Sequence, residues 1–463
     1  FSILETIPGQ VQRARTLRSA VRRLAEERSR RDSESLIDQL EEQLGQPQTL
    51  AQLLNTGAPP PSVVQTHTLE SLCMPRGYDL DVFGVYRLNA TMDGQLNRTR
   101  IASAPIFIAG RTVDVHSGEA KRQVIWRGPS GWCSRVIERR TILDASRVVA
   151  LTNLEAPVSS NTAGQMVAYL SDFEAENNHR FPAVRSASRM GWQPDGGFLL
   201  PDVFYSTNDE ASSNFALTPP SGLETMSSGW IPAGTWDEWA GAVGLVSSFP
   251  YMYIALYAGA AAPLLDILRV PGFVVDFSGE TSGGKTTALR FAASVWGRPS
   301  ESYPTAMYSW DATKVWIERT AGFLHNLPLI LDETKRARHP RIVRDVIYDF
   351  CQGQGRGRGS VEGTRHTESW RSVLISSGEG AATSFSQDAG TRARVLTLKG
   401  KPLGSDVDIG SRVSEEVQVT LADNYGHLGR RIAQYLVSNQ ERHDDIRAVF
   451  QQARDKYAAI ATT

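Results

Sequence analysis

Cysteine is scarce. The three that occur, Cys73, Cys133 and Cys351, lie far apart and show no metal-ligand spacing. A count that is odd and sparse argues against a disulfide framework and fits a reducing cytoplasm, where the chain is expected to reside. The eight histidines form no H-x3–5-H pair near a cysteine, so no zinc site is expected. Net charge is close to absent, −1 at pH 7. No global field draws the chain to nucleic acid, and any such surface has to be local. Lysine is sparse beside arginine. Long apolar runs are missing as well: the most apolar stretch, 249–268, is interrupted by Pro250, Pro263 and Asp266. It reads as a buried helix rather than a membrane span, and no signal peptide is visible. The chain begins at Phe1 rather than Met, as expected of a fragment with further domains beyond its ends.

What is present is an ordinary globular composition, 41% hydrophobic and 21% charged, over 463 residues, enough for two or three domains. One stretch organises the rest. The apolar run 273–277 reads as a buried strand and breaks into Gly279, Glu280, Thr281, Ser282, Gly283, Gly284, Lys285, Thr286 and Thr287. This fits G-x-x-x-x-G-K-[ST] at every fixed position. Ala288, Leu289, Ala292, Ala293 and Trp296 follow at helical spacing, and Gly297 supplies a stop. Strand, glycine loop and helix together form a phosphate cradle. The glycines let backbone N–H groups curl around phosphate oxygens, and the helix N-terminus adds partial positive charge. Lys285 is expected to reach the β- and γ-phosphates of ATP, and Thr286 to ligate Mg²⁺.

A second motif completes the first. Leu327-Pro-Leu-Ile-Leu runs into Asp332 and Glu333, an apolar strand capped by two carboxylates about fifty residues downstream. Asp332 is expected in the Mg²⁺ shell, and Glu333 as the base that polarises the attacking water. Residues 340–351 read as an amphipathic helix. In 352–365 glycine then alternates with arginine, at Arg356, Arg358 and Arg365. Residues 370–377 form a strand ending in small polar residues, and Ser376 or Ser377 is the candidate γ-phosphate sensor. Arg392 and Arg394, ahead of another apolar strand, are candidates for fingers acting on the phosphate of a neighbouring subunit.

Elsewhere the signals are structural. Residues 11–45 read as a helical segment, basic first and then acidic: a solvated linker or an arm touching DNA or a neighbour. A Pro-rich stretch at 57–62 marks a linker. Short alternating runs from about 76 to 205, separated by turn residues, read as antiparallel hairpins interrupted by a helix at 164–177. Residues 205–232 look irregular, and 236–268 supply two apolar helices. The expected domains are therefore 1–65, a helical basic segment; 66–232, a β-rich accessory domain; 233–435, an α/β P-loop ATPase core with a parallel sheet and helices on both faces; and 436–463, a helical segment.

The segments 279–297 and 327–333, the Gly-Gln-Gly-Arg run and Ile375-Ser-Ser-Gly-Glu379 resemble a group of ring-forming AAA+ ATPases. These occur in prophages, plasmids, pathogenicity islands and cassette chromosomes, and were long catalogued only as a domain of unknown function. They are similar to replication helicases of the MCM clade. The resemblance spans roughly residues 75–435, including Met190-Gly-Trp192 and Asn424-Tyr-Gly426. It implies an adaptor role for the β-rich part and a hexameric motor on single-stranded or forked DNA. It further implies a pore hairpin at 352–365 and a primase or replication initiator as partner, with no membrane. The sensor strand departs from the family pattern, with Ser376-Ser377 where Asn is usual. A protein remodeller, loader or defence switch is the alternative. A nucleotide-binding scaffold is a third reading, weakened by Glu333, since a scaffold needs no base there.

Overall fold

The computed structural model describes residues 49–50, 54, 66–90, 96–208, 215–220, 222–280, 283–357, 359–360, 363–364, 367–385 and 389–462. The basic segment 11–45, the linker at 57–62 and the first expected boundary lie outside them, as do Thr281, Ser282, Arg358 and Arg365. The chain divides into two compact units, Phe1–Asp114 with Gly118–Arg185, and Val115–Ser117 with Ser186–Thr463.

The first unit is built from antiparallel strands. Tyr78–Asp81, Gly84–Ala90 and Leu96–Ala102 form one sheet, and Ile106–Asp114, Ala120–Gly128 and Gly131–Glu138 pair in a meander. The helix Ala163–Asn177 packs its buried Met166, Tyr169, Leu170 and Phe173 into the same core. Three buried polar side chains of this helix find specific partners. Tyr169 Oη donates to Ile106 O at 2.9 Å, and Asn177 accepts from Cys73 N at 2.8 Å while donating to Cys73 O at 2.7 Å. Buried Glu174 accepts from Arg122 at 2.6 Å and from Arg139 at 2.9 Å.

The second unit holds a five-stranded parallel sheet. Its strands are β1 (Phe273–Ser278), β2 (Tyr308–Ser309), β3 (Leu329–Asp332), β4 (Val373–Gly378) and β5 (Val395–Lys399), in the spatial order β2-β3-β4-β1-β5. Parallel strands buried on both faces need continuous apolar runs, and Leu329, Ile330, Leu331, Val373, Leu374 and Ile375 are all fully buried. Helices make the crossovers: α1 (Lys285–Ser294), α2 (Lys314–Leu324) and α3 (Pro340–Gln352), with α4 (Val407–Asp423), α5 (His427–Ser438) and α6 (His443–Thr462) following β5. The apolar stretch ahead of β1 forms Trp236–Leu245, Pro250–Ala261 and the short Leu264–Leu268, three helices where the sequence suggested two. Among the described residues no helix is long and apolar enough to cross a membrane. Met190, Phe198, Leu200, Met226 and Trp230 share the core of this sheet, so the described residues between 186 and 232 belong to the second unit. Period-two alternation marks a strand without saying which core buries it.

Glu174 generates a stability prediction. Glu174→Ala strands two guanidiniums, one of them buried, and is expected to cost about 3–5 kcal/mol. The measurement is the urea midpoint of the transition reported by the first unit.

Candidate nucleotide site

Because every strand of the sheet runs the same way, the carboxyl ends of β1, β3 and β4 meet at one edge. Ligands in open α/β sheets bind at that edge. After β1 the chain passes through Gly279 and Glu280 and enters α1 at Lys285, with Gly284 as the N-cap at φ 85°. Only glycine adopts that backbone freely, and an added Cβ there would stand 3.0 Å from Leu403 Cδ1. The Lys285 ammonium donates to Gly279 O at 2.8 Å and Glu280 O at 2.6 Å, curling over the loop.

Thr286, one residue into the helix, meets the acidic strand. Its hydroxyl donates to Asp332 Oδ2 at 3.1 Å. The other oxygen of Asp332 accepts a short hydrogen bond from the Ser377 hydroxyl, which itself accepts from Glu333 N at 3.0 Å. The helix after β1 and the ends of β3 and β4 are thus joined through one carboxylate. Of the two serines, Ser377 faces the carboxylates. Ser376 points away from them and accepts from Trp310 Nε1 at 3.1 Å.

Glu333 stands at φ 62°, a left-handed conformation that costs a non-glycine residue about 1–3 kcal/mol. Several contacts hold it there. Besides the Ser377 bond, its carboxylate accepts from Lys335 N at 3.3 Å and its carbonyl from Arg336 N at 3.0 Å.

A cavity of about 610 Å³ opens over the loop, lined by Gly283, Gly284, Lys285, Thr286, Thr287 and Glu333. Its far wall is Lys401, Leu403 and α4, including Ser414 and Gln418, none of which the sequence reading singled out. Asp406 caps α4, accepting from Ile409 N at 3.0 Å, so the helix start was legible. Its place over α1 was not, because that follows from packing: Thr287 Oγ1 lies 2.7 Å from Ser414 Oγ, and Gln418 contacts Arg290.

Arg392 and Arg394 lie elsewhere. They precede β5, at the amino edge of the sheet, and Arg394 O accepts from Val274 N at 2.9 Å. The five residues of β5, about 16 Å of strand, separate them from the cavity edge, and neither lines the cavity of its own chain. The Gly/Arg segment also sits at the amino edge, at the far end of α3. It is a hairpin: Gly359–Ser360 pairs antiparallel with Gly363–Thr364, and Gln354 bridges Ser369 at its base. Arg356 is exposed.

The fold and this cavity define a mixed α/β protein with a parallel sheet and a glycine-rich loop at its carboxyl edge. Residues 78–370 match the family described as a domain of unknown function (DUF927), more than half of the chain. The chain belongs to that family. No curated protein matches it. Among solved structures it is similar to the SCCmec type IV Cch active helicase, with TM-score 0.62 and 23% identity over 83% of this chain and 68% of that one. At that identity the likeness shows the fold. The apo C-terminal region of NrS-1 is matched at TM-score 0.28, with 9% identity over 71% of this chain and 72% of that one. JCV helicase is matched at TM-score 0.21, with 11% identity over 44% of this chain and 68% of that one. Both superpose too loosely to carry an argument.

Behind the site lies a carboxylate that the motifs did not mark. Asp276, on β1 opposite Ser376, is fully buried. Burial pushes its carboxyl up to about 6, against the opposing pull of Ala382 N, which donates to Oδ2 at 2.7 Å, and of Ser376. A raised carboxyl stabilises the fold below its unfolded value and loses that contribution as pH rises through the folded one. The window is therefore about pH 4 to 6, and about 3 kcal/mol is lost across it. Asp276→Asn is expected to flatten that slope and to be no less stable than the wild type at pH 8. Urea midpoints of both proteins from pH 4 to 8 provide the check.

Proposed function

We propose that the chain is an ATP-hydrolysing motor of the AAA+ type, a ring-forming DNA helicase or translocase serving the replication of a mobile genetic element. The observation that carries this reading is the connected set Thr286, Asp332 and Ser377 beside Lys285 at the carboxyl edge. The insertion of β4 between β1 and β3 supports it, since this sets the hydroxyl of Ser377 between the two motifs, where a sensor would act.

The residues fit ATP with Mg²⁺. The cavity has the volume of a small-molecule site, and the Thr286 and Asp332 oxygens are a hard donor pair of the kind Mg²⁺ takes. Those two residues would hold the ion, which when bound neutralises charge on the β- and γ-phosphates. The loop 279–287 offers N–H groups and a helix N-terminus to the phosphates. Lys285 exchanges the carbonyls of Gly279 and Glu280 for phosphate oxygens. Glu333 takes the proton of the attacking water, and Ser377 reports the γ-phosphate to Asp332.

The distance of Arg392 and Arg394 from their own cavity favours action in trans, on the nucleotide of a neighbouring subunit in a ring such as a hexamer. The Gly/Arg segment, with Arg356, Arg358 and Arg365 in its sequence, would grip single-stranded or forked DNA through its phosphates. Similarity to the SCCmec type IV Cch active helicase supports a DNA substrate. A primase or replication initiator would act alongside, in the cytoplasm. The domain reading that goes with this is an adaptor ahead of an ATPase core.

Two outcomes test the reading. Lys285→Ala should lower ATP hydrolysis by about 10²-fold or more, measured as phosphate release, because a cation aimed at the transferred phosphate is lost. Normal turnover by this variant would remove the ATPase assignment. Replacing Arg356, Arg358 and Arg365 together by Ala should weaken single-strand binding. It should also reduce the slope of log K against log salt by about 2. The measurement is fluorescence anisotropy over a salt series; an unchanged slope and affinity would shift the reading to a protein remodeller or loader.

A further inference from the structure

The chain leaves the carboxyl edge of the sheet at Glu333 and returns to it at Glu379. Between them it descends α3, turns through the Gly/Arg hairpin at the amino edge and climbs β4. The thirteen residues of α3 span about 20 Å. This excursion is closed at both ends. At the far end Gln354 bridges Ser369, Gly355 N donates to Glu368 O at 2.8 Å, and Trp370 N donates to Gly353 O at 3.0 Å. At the near end the Lys335 ammonium is ion-paired with the Glu379 carboxylate.

Lys335 has a second task. Its backbone N–H is the donor that holds the carboxylate of Glu333. Glu379, for its part, lies two residues beyond Ser377, whose hydroxyl holds the backbone of Glu333. The pair therefore fastens together the two groups that keep Glu333 in its left-handed conformation. Both side chains are partly exposed, 62% for Lys335 and 36% for Glu379, so mutual attraction alone gives little stability. What the pair contributes is geometry, because it spans the mouth of a long excursion whose other end is the hairpin.

We propose that Lys335 and Glu379 are positioning residues for Glu333, a latch that sets the reactive carboxylate and ties its setting to the hairpin. This rests on the reading of Glu333 as the base. With the latch closed, Glu333 is held by the Lys335 amide and by Ser377. Displacement of α3 against β4 opens it and releases the carboxylate. The nucleotide-binding loop takes no part, so affinity for ATP is independent of the latch.

The test compares Lys335→Met, Glu379→Gln, the reversed pair Lys335→Glu with Glu379→Lys, and Glu333→Gln, all in the full chain. Each single latch variant should lower kcat for ATP hydrolysis about tenfold, the order expected when a reactive group is misplaced without being lost. Binding of a fluorescent ATP analogue should stay within about twofold of the wild type. Loss of kcat at unchanged affinity is a split that a merely structural contribution would not produce, and the reversed pair should regain most of the lost kcat because the attraction is restored. Single variants with normal kcat, or a reversed pair no better than the worse single, overturn the latch. Glu333→Gln distinguishes the two levels. If it binds the analogue but does not turn over while the latch variants behave as wild type, the latch alone is wrong. If Glu333→Gln turns over normally, the assignment of the base is wrong and the latch falls with it.

Discussion

The Asp332 carboxylate accepts from two hydroxyls at once, Thr286 on the helix after β1 and Ser377 at the end of β4. Among the described residues, this carboxylate ties the helix after the glycine loop, the acidic strand and the inserted strand to a common point. A carboxylate that accepts two bonds is fixed in rotation, and both hydroxyls are fixed with it. The arrangement depends on parallel pairing, since antiparallel neighbours would send alternate strand ends to opposite edges. It also depends on β4 lying between β1 and β3, which brings Ser377 within reach of Asp332.

Around this point the site is held by packing rather than by further charge. α4 covers the loop and closes the cavity through Thr287, Ser414 and Gln418, hydroxyls and an amide that need no counter-ion. At the cavity the non-glycine residue in a left-handed conformation is Glu333, whose backbone is pinned by Ser377 on β4 and by Arg336 in the turn that follows it. A residue in a costly conformation at the mouth of a cavity is the pattern seen where geometry has been kept for chemistry. Asp276 is a different case. It sits under the sheet with its charge disfavoured by burial, and its bond to Ala382 N ties the loop after β4 back to β1.

The two edges of the sheet divide the work. The carboxyl edge holds the cavity. The amino edge holds the Gly/Arg hairpin and, ahead of β5, Arg392 and Arg394. α3 and β4 connect the edges, a helix and a fully buried strand, with the turn after Glu333 and Ser377 at their carboxyl-edge ends.

The local sequence by itself determined the pieces whose chemistry is written in consecutive residues. Gly279 and Gly284 specify a turn because glycine alone freely adopts their positive φ. The run 327–333 specifies a buried strand with acids at its end, and 352–365 is too rich in glycine for a helix. The hairpin register, the choice of Ser377 over Ser376, and the covering of the loop by α4 were decided only in three dimensions. So was the membership of the described residues between 186 and 232 in the second unit. Each turns on which residue faces which neighbour across a sheet or a helix pair, and single-chain periodicity carries no information about partners distant in sequence. Arg392 and Arg394 show the same limit from the other side. Their pairing with an apolar strand was legible, but only the direction of β5 places them at the edge away from their own cavity.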